Sequence, residues 1–356
     1  MKLVHIYRGI GFLGIGAIWI ATAQNQGGNI PPGTTRYKLV VPVGLPTPPI
    51  AGDNPLTVEG VALGQRLFFE KKLSGNNTQA CSTCHRPNAA FSDVGNAVST
   101  GITGAKGTRN APALFNLAYQ HAFFWDGRSP SLRAQALAPI QNPVEMNQTL
   151  TATVQKLSAD STYVSQFAKA FGSAGITPAR IGLALEQFES TILAGSSKFD
   201  LFQQGKATLT AQEQRGLFLF RTPFNPRQNQ FGADCARCHG GPLMSDFDFK
   251  NNGLDTQPKD LGLADFTNRP GDIGKFKTPS VRNLSASGPY MHDGRFQTLE
   301  QVVEHYSDGI LPSPTLDPGL AREPGGVRLS PADQAALVAF LKTLVDPQFA
   351  PTVIRP

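Results

Sequence analysis

The feature that most constrains this chain is a five-residue motif that occurs twice. Cys81–His85 reads CSTCH and Cys235–His239 reads CARCH, and together they contain all four cysteines of the 356-residue chain. Two disulfides would account for the cysteines but would leave both histidines unexplained. A zinc site would need further ligands near each motif, and none follows. Each motif spans about one helical turn, so its two thiols and its imidazole would converge on one ligand.

This convergence is the attachment chemistry of a c-type haem. In a CxxCH motif the two thiols form thioethers with the haem vinyl groups, and the histidine binds the iron. The sequence therefore predicts two covalently bound c-type haems. Thioethers would form at Cys81, Cys84, Cys235 and Cys238, and the proximal iron ligands would be His85 and His239.

The chain also repeats itself beside these motifs. Residues 109–132 and 276–299 align without gaps, in a single register. The matching positions include Pro112 and Pro279, Asn116 and Asn283, Asp126-Gly127-Arg128 and Asp293-Gly294-Arg295, and Leu132 and Leu299. Each copy follows one CxxCH motif, which indicates two homologous halves that divide near residue 205. We expect one haem domain over 56–205 and a second over 206–348.

Residues 1–23 have the composition of a signal peptide. Lys2 and Arg8 precede an apolar run over 9–21 that is too short to span a membrane comfortably, and a small-x-small triplet ends at Ala23. We expect export to the periplasm, with an uncleaved membrane tether as the alternative. The formal charge of +6 falls to +4 without Lys2 and Arg8. This mild excess, without a cluster of basic residues, argues against a nucleic-acid partner.

The predicted fold class is mainly α with long loops. Strand patterns are few, and 36 glycines and 28 prolines require long loops between the helices. Residues 24–55 are rich in glycine, proline and threonine and are predicted to form an extended arm or tether. Apolar residues at helical spacing predict helices within 56–70, 149–170 and 178–195. Two further helices are predicted to begin at the capping residues Thr210 and Ser330.

Several short motifs point to one family. FFWDGR, PVEM and PYMHDGRF, together with the two CxxCH motifs, resemble the bacterial di-haem cytochrome c peroxidase and MauG family over residues 56–345. The resemblance implies two cytochrome c-like domains that face each other. The haem of the first would meet peroxide, and that of the second would pass or store electrons. It also implies a calcium ion between them, with Asn110 as a side-chain ligand and Ser287 and Pro289 as carbonyl ligands.

The second axial position decides whether a haem iron can bind peroxide. Peroxidases of the family often carry a distal histidine where this chain has Ile102, and the loop 99–108 contains no His, Met, Cys or Tyr. When the register of the repeat is continued, Pro139 corresponds to Tyr306. Proline cannot bind iron, whereas a tyrosine oxygen can. We expect a five-coordinate first haem and His239/Tyr306 ligation of the second, as in the MauG branch.

Three other side chains stay open as axial ligands. His121 could close the first haem, although a histidine in such a loop is more often a surface residue. Met291 and His305 are alternatives to Tyr306 at the second haem.

Three residues of the first half match catalytic positions of the family. Glu145 lies six residues after Pro139 and twenty after Trp125, where the family places the carboxylate that moves a proton between the peroxide oxygens. Gln135 matches an amide that can hydrogen-bond the bound oxygen. Trp125 matches a residue that lies between the haems and relays electrons.

These features predict an oxidoreductase that reacts with H2O2 at the first haem. In the MauG-type hypothesis it oxidises a protein or another large substrate through the second haem. In the alternative it is a peroxidase that takes electrons from a small cytochrome c or cupredoxin. A non-catalytic electron carrier is the third hypothesis, and the open first haem argues against it. A homodimer stays open as the assembly.

Overall fold

The computed structural model describes residues 28–322 and 324–349, and helices dominate this part of the chain. The helices are α1 Val58–Phe68, α2 Cys81–Cys84, α3 Leu132–Gln141, α4 Leu150–Ser158, α5 Ser161–Phe171, α6 Pro178–Ser190, α7 Lys198–Gln203, α8 Ala211–Arg221, α9 Ala236–His239, α10 Ala264–Thr267, α11 Leu299–Asp308 and α12 Pro331–Lys342. The strands form two antiparallel pairs, β1 Phe224–Asn225 with β2 Gln230–Phe231 and β3 Phe249–Lys250 with β4 Phe276–Lys277. The mainly helical class is therefore confirmed.

Capping residues set the limits of several helices. The side chain of Thr210 accepts a hydrogen bond from the backbone of Glu213, whose carboxylate accepts one from Thr210 in return, so α8 begins with a capping box. Ser330 caps α12 in the predicted place. The single helix predicted over 149–170 is wrong in one respect, because α4 ends at Ser158. Asp160 then accepts a hydrogen bond from the backbone of Thr162 and starts α5.

Two separate clusters of buried apolar side chains form the cores. In the first, α1 crosses α6 at Gly64, where an added Cβ would lie 1.9 Å from the carbonyl oxygen of Ala184. In the second, α8 crosses α12 at Gly216, where an added Cβ would lie 2.0 Å from the carbonyl oxygen of Ala336. Each half is therefore built on the same close helix crossing, which only a glycine allows.

The sequence repeat corresponds to a repeat of local structure. Asn116 and Asn283 both have positive φ, at 56° and 58°, and each precedes a short 3-10 turn. An isolated bridge joins Phe123 to Ser129 and another joins Tyr290 to Phe296. Helices α3 and α11 have the same length and begin at the same repeat position, after Ser131 and Thr298. The register of the sequence repeat therefore relates equivalent positions in space.

The ends of the two halves are interleaved. Phe199 belongs to the second core, ahead of the boundary expected near 205, and Phe349 belongs to the first core. The described part of the arm, 28–55, packs on the protein, as the Tyr119 hydroxyl donates a hydrogen bond of 2.7 Å to the carbonyl of Pro46. Residues 1–23, the predicted signal peptide, lie outside the described residues. Within 28–322 and 324–349, no helix has the length and apolar character needed to cross a membrane.

Candidate functional site

A cavity of about 790 Å³ lies between the two halves, and both CxxCH motifs line it. No disulfide joins the four cysteines, and burial raises the pKa of the Cys81 and Cys235 thiols to about 12. The short helices α2 and α9 carry the motifs, so the thiols of each motif lie on one turn next to its histidine. The walls of the cavity therefore present two identical sets of haem-attachment groups.

Both motif histidines are oriented by a backbone carbonyl. Nδ1 of His85 donates to the carbonyl of Phe91 over 2.9 Å, and Nδ1 of His239 donates to the carbonyl of Pro279 over 3.1 Å. Burial lowers the pKa of both histidines. Each ring is therefore held as a neutral imidazole with Nε2 left for a metal, which is the usual arrangement of a metal-binding histidine.

Equivalent helices α3 and α11 present different side chains to the cavity. On α3 the lining residues include Gln135 and Pro139. At the same positions α11 presents Val302 and Tyr306. The first half therefore offers an amide and a residue that cannot bind metal, whereas the second offers an apolar side chain and a phenol.

The Tyr306 hydroxyl lies beside an amide that sequence reasoning missed. Nδ2 of Asn252 is 3.3 Å from the Tyr306 hydroxyl and 3.4 Å from the sulfur of Met291. Burial raises the pKa of Tyr306 to about 12, while the Asn252 amide acts in the opposite direction. All three residues line the cavity, so Tyr306 and Met291 are both placed at the wall of the second half.

The remaining candidate ligands lie elsewhere. His121 is exposed, and it is not among the described residues that line the cavity. His305 is 6% exposed, but its Nε2 lies 3.0 Å from the carbonyl of Asn252 and the residue is also absent from the lining. The loop 99–108 reaches the cavity through Ser99, Thr100, Gly101, Lys106, Gly107 and Thr108, and the backbone N–H of Ile102 donates to the carbonyl of Glu145.

Glu145 lies at the cavity wall just after α3. Its Oε1 accepts a hydrogen bond of 2.6 Å from Nδ2 of Asn142. Burial raises the pKa of Glu145, and the Asn142 hydrogen bond and the charge of Arg128 oppose this rise only in part. Burial therefore favours the protonated form of this carboxyl more than water would, which suits a group that takes up and returns a proton.

A tryptophan and the expected calcium residues lie where the halves meet. Nε1 of Trp125 donates to the carbonyl of Asn110 over 2.8 Å, and the backbone N–H of Asn110 donates to the carbonyl of His292 over 2.7 Å. Ser287 and Pro289 line the same cavity as Asn110. Trp125 and Asn110 are therefore in direct contact, and Ser287 and Pro289 lie on the wall of the same cavity.

Comparisons with known proteins agree with this geometry. A family model described as di-haem cytochrome c peroxidase matches residues 58–208. The methylamine utilization protein MauG of Methylorubrum extorquens is 38% identical over 303 residues, which cover 82% of this chain and 79% of that protein. The cytochrome c551 peroxidase of Nitrosomonas europaea is 33% identical over 319 residues, which cover 87% of this chain and 88% of that protein.

The chain belongs to the di-haem cytochrome c peroxidase and MauG family. A solved MauG-like protein associated with microbial copper homeostasis has a TM-score of 0.76 at 35% identity, covering 89% of this chain and 99% of that one. The protein is therefore a haem oxidoreductase, and membership in a di-haem family implies two c-type haems. Relatives named MauG and relatives named peroxidase have similar identities, so identity alone does not choose between the two activities.

The residues of the cavity fit this cofactor. Two pairs of thiols and two neutral imidazoles line a cavity that both halves share, as two thioether-linked haems require. Asp126, Asp234 and Glu189 also line the cavity, and none of them was predicted as a site residue. Glu189 lies on α6. The sequence could have indicated Glu189, because this acidic residue lies beside the apolar stripe of its helix. Leu185 and Phe188 of that stripe are buried.

Proposed function

We propose that this protein is a MauG-type oxidoreductase that uses H2O2 in the first half and oxidises a protein or another large substrate through the second half. The observation that carries the proposal is the difference between Pro139 and Tyr306. They occupy the same position of equivalent helices, and both line the cavity. Only the tyrosine has a side-chain oxygen for a metal, which supports His239 and Tyr306 as the residues that would hold the second haem iron, with His85 alone holding the first.

Bound at the two CxxCH motifs, the haems would supply electron transfer and the cleavage of the O–O bond. Glu145 accepts a proton from H2O2 and returns it to the departing oxygen. The Asn142 hydrogen bond holds Oε1 of this carboxylate, and we assign the transferred proton to Oε2. Gln135 on α3 lines the cavity, where its side-chain amide would be a hydrogen-bond donor for H2O2.

Trp125 connects the two halves. Its indole nitrogen binds the carbonyl of Asn110 over 2.8 Å, and its own carbonyl accepts a hydrogen bond of 2.8 Å from the backbone of Lys277. A tryptophan held through its indole nitrogen and through its backbone carbonyl, at the boundary of the halves, is suited to relay electrons between them. This position supports the role expected from the family resemblance.

Calcium is proposed at the same boundary. Nδ2 of Asn110 donates to the carbonyl of Ala97 over 3.0 Å, so the amide is oriented with Oδ1 as the available ligand. The backbone N–H of Gly95 donates to the carbonyl of Gly288, which brings this loop beside Ser287 and Pro289. Amide and carbonyl oxygens are the hard ligands that Ca²⁺ prefers.

The proposed setting is the periplasm. The signal-peptide pattern over 1–23 supports export. In the periplasm the protein would react with H2O2 and with a large redox partner. Each haem domain, 56–205 and 206–348 in the proposed division, would contribute one iron to the pathway between them.

Electron paramagnetic resonance of the oxidised holoprotein tests the proposal. We expect one high-spin ferric haem and one low-spin ferric haem. Tyr306→Phe should convert the low-spin signal to high-spin because it removes the ligand oxygen. Tyr290→Phe is the matched control, since Tyr290 also lines the cavity but donates its hydroxyl to the carbonyl of Leu284 over 2.9 Å. Two low-spin signals in the parent protein would contradict an open first site.

Rapid mixing of the fully oxidised protein with H2O2 is the second arm of the test. The loop 99–108 has no ligand that must leave the first iron, so the haem spectra should change without prior reduction. A change that occurs only after one-electron reduction would favour the peroxidase.

The peroxidase remains the second candidate because of Met291. Its sulfur lies 3.4 Å from the same Asn252 amide that contacts Tyr306. A thioether ligand favours the ferrous state and raises the haem potential, as an electron-accepting haem of a peroxidase requires. Met291→Leu should leave the low-spin signal intact if Tyr306 is the ligand, and should abolish it if Met291 is.

A further inference from the structure

Glu189 is an unexplained buried acid in the first half. It is 3% exposed, near the C-terminal end of α6, and it lines the cavity. Its Oε2 has no hydrogen-bond partner among the described residues. The charge of Glu189 contributes to the raised pKa of Cys81, so the two side chains lie near each other. A buried carboxyl oxygen without a partner costs free energy, which points to a role beyond stability.

The second half has no such acid at the equivalent place. In each half the glycine of the helix crossing meets an alanine carbonyl and then the Cβ of a phenylalanine, which is Phe188 in α6 and Phe340 in α12. The residue after each phenylalanine is Glu189 in the first half and Leu341 in the second. Both line the cavity, and both are buried. One wall position thus carries a carboxyl beside the first motif and a hydrocarbon beside the second.

Several of the other charged groups around Glu189 already have partners. On its own helix, Glu186 accepts a hydrogen bond of 2.6 Å from Asn54 and pairs with Arg133 of α3 over 2.8 Å. The ionisable groups on the elements packed against α6 are Glu59 and Arg66 on α1, Arg133 on α3, Tyr119 on the turn before α3, and Lys156 on α4. Cys81, Cys84 and His85 of the motif line the same cavity, as does Glu145, whose charge also acts on Cys81. Glu59 binds the backbone of Thr35, and Lys156 binds the carbonyl of Ser74.

Burial, and then the charge of Glu186, raises the pKa of Glu189 to about 8. A change in charge close to a group in a low-dielectric interior shifts its protonation equilibrium strongly. Arrival of one electron at a haem attached at Cys81 and Cys84 would make the surroundings of Glu189 more negative. It would therefore favour the protonated carboxyl.

We propose that Glu189 couples proton uptake to reduction of the haem attached at Cys81 and Cys84. One electron from a one-electron donor enters the haem, and one proton from solvent joins the Glu189 carboxylate. Oxidation reverses both transfers, and the resulting carboxylate then stabilises the more positive, oxidised haem. Glu189 is a positioning residue in this scheme, since it acts through the haem and touches no substrate. The inference rests on the proposed haem attachment but not on the identity of the oxidised substrate.

Spectroelectrochemical titration of the holoprotein over a pH range that brackets 8 tests the coupling. In the parent protein the midpoint potential of the first-half haem should fall as pH rises. At a fixed electrode potential, the ratio of reduced to oxidised haem should change by up to about tenfold per pH unit, the limit for one coupled proton. Glu189→Gln should remove this slope while the potential of the second-half haem keeps its own pH dependence.

Three controls separate the outcomes. Glu186→Gln removes a neighbouring negative charge that raises the pKa of Glu189. The midpoint potential should therefore still depend on pH, but over a lower pH range. Glu189→Asp keeps an ionisable group and should keep the slope. Redox-difference infrared spectra of the parent should show a protonated-carboxyl band on reduction that is absent in Glu189→Gln. An unchanged slope in Glu189→Gln, or no slope in the parent, would overturn the inference.

Measuring the number of haems per chain distinguishes a failure of the Glu189 coupling from a failure of the proposed function. Two haems per chain with no effect of Glu189 would refute the coupling alone. A variant with both Cys81→Ser and Cys84→Ser should lose the first haem. If the pH-dependent potential is still measured in that variant, it belongs to the second-half haem, and the coupling to Glu189 is refuted.

Discussion

The two halves share a scaffold and differ in the side chains that face the cavity. Both cross two helices at a glycine, both hold a motif histidine through its Nδ1, and both place a ten-residue helix beside the cavity. At equivalent wall positions the first half has Gln135 and Glu189, and the second has Val302 and Leu341. At these two positions the first half thus has polar side chains where the second has hydrocarbon, and a carboxyl is the kind of group that proton transfer with peroxide needs.

At one other position of the repeat, the second half has a charged residue and the first half an apolar one. In the second half, Arg282 is 2% exposed and binds both carboxylate oxygens of Asp200 at 2.8 Å. At the matching position of the repeat the first half has Phe115, whose ring stacks on Phe349. The second half therefore depends on a buried ion pair where the first depends on aromatic packing. The following predictions compare the two halves at these positions.

The largest expected effect is on the peroxide reaction. Glu145→Gln should slow it by about 10²–10⁴-fold, because an amide cannot accept the peroxide proton. In the parent the rate should rise as pH increases through the pKa of Glu145, since the carboxylate is the proton acceptor, and the variant should lack this rise. Stopped-flow spectra after H2O2 addition measure the rate. Glu304→Gln, on the exposed side of α11, is the control and should leave it unchanged.

Arg282→Met tests the ion pair of the second core. It should lower the free energy of unfolding by about 3–5 kcal/mol, because Asp200 is left buried and unpaired. The double variant Arg282→Met with Asp200→Leu should recover most of the loss, as measured by urea unfolding of the holoprotein. A double variant as unstable as the single one would contradict this account.

The same pair predicts a dependence of stability on pH. Burial alone would raise the pKa of Asp200, but Arg282 outweighs it and holds the pKa below its usual range. The stabilisation should be present above the unfolded-state pKa of about 3.9 and be lost as pH falls through the lower folded-state pKa. Arg282→Met should lack this loss in acid.

Local signals were sufficient to predict much of the fold. The motif spacing, the Thr210 capping box and the repeat each depend on residues close in sequence, so the cap of α8 and the matching positions of α3 and α11 could be anticipated. The break at Asp160 was missed although its signal is also local, because the apolar spacing continues across it. A capping aspartate there outweighs the periodic pattern.

Contacts between distant segments could not be predicted in the same way. Asn252 meets Tyr306 across 54 residues of chain, and no short motif marks the pair. The equivalence of Glu189 and Leu341 follows from the helix crossings at Gly64 and Gly216, which are out of register with the visible repeat. Such positions become apparent only when the packing of each half is compared.

A smaller effect is expected at the two helix crossings. Gly64→Ala and Gly216→Ala should each destabilise the protein by about 1–3 kcal/mol, because the new Cβ would meet a carbonyl oxygen at 1.9 or 2.0 Å. Gly271→Ala is the control, as nothing lies within 4 Å of its added Cβ. Similar losses in urea unfolding would confirm that the crossings are equivalent. A loss at one glycine only would show that the halves pack differently there.

The smallest expected effect is a difference in stability between the N-terminal caps of α3 and α11. Ser131→Ala and Thr298→Ala should each cost about 1 kcal/mol, because each side chain accepts a hydrogen bond from the third residue of its helix. Only α11 has the reciprocal bond, from the backbone of Thr298 to Oε1 of Gln301, since α3 has Ala134 at that position. Thr298→Ala combined with Gln301→Ala should therefore lower the melting temperature more than Ser131→Ala does. Equal shifts would mean that the reciprocal bond contributes nothing, and that the helix carrying Tyr306 is anchored no better at its start than the one carrying Pro139.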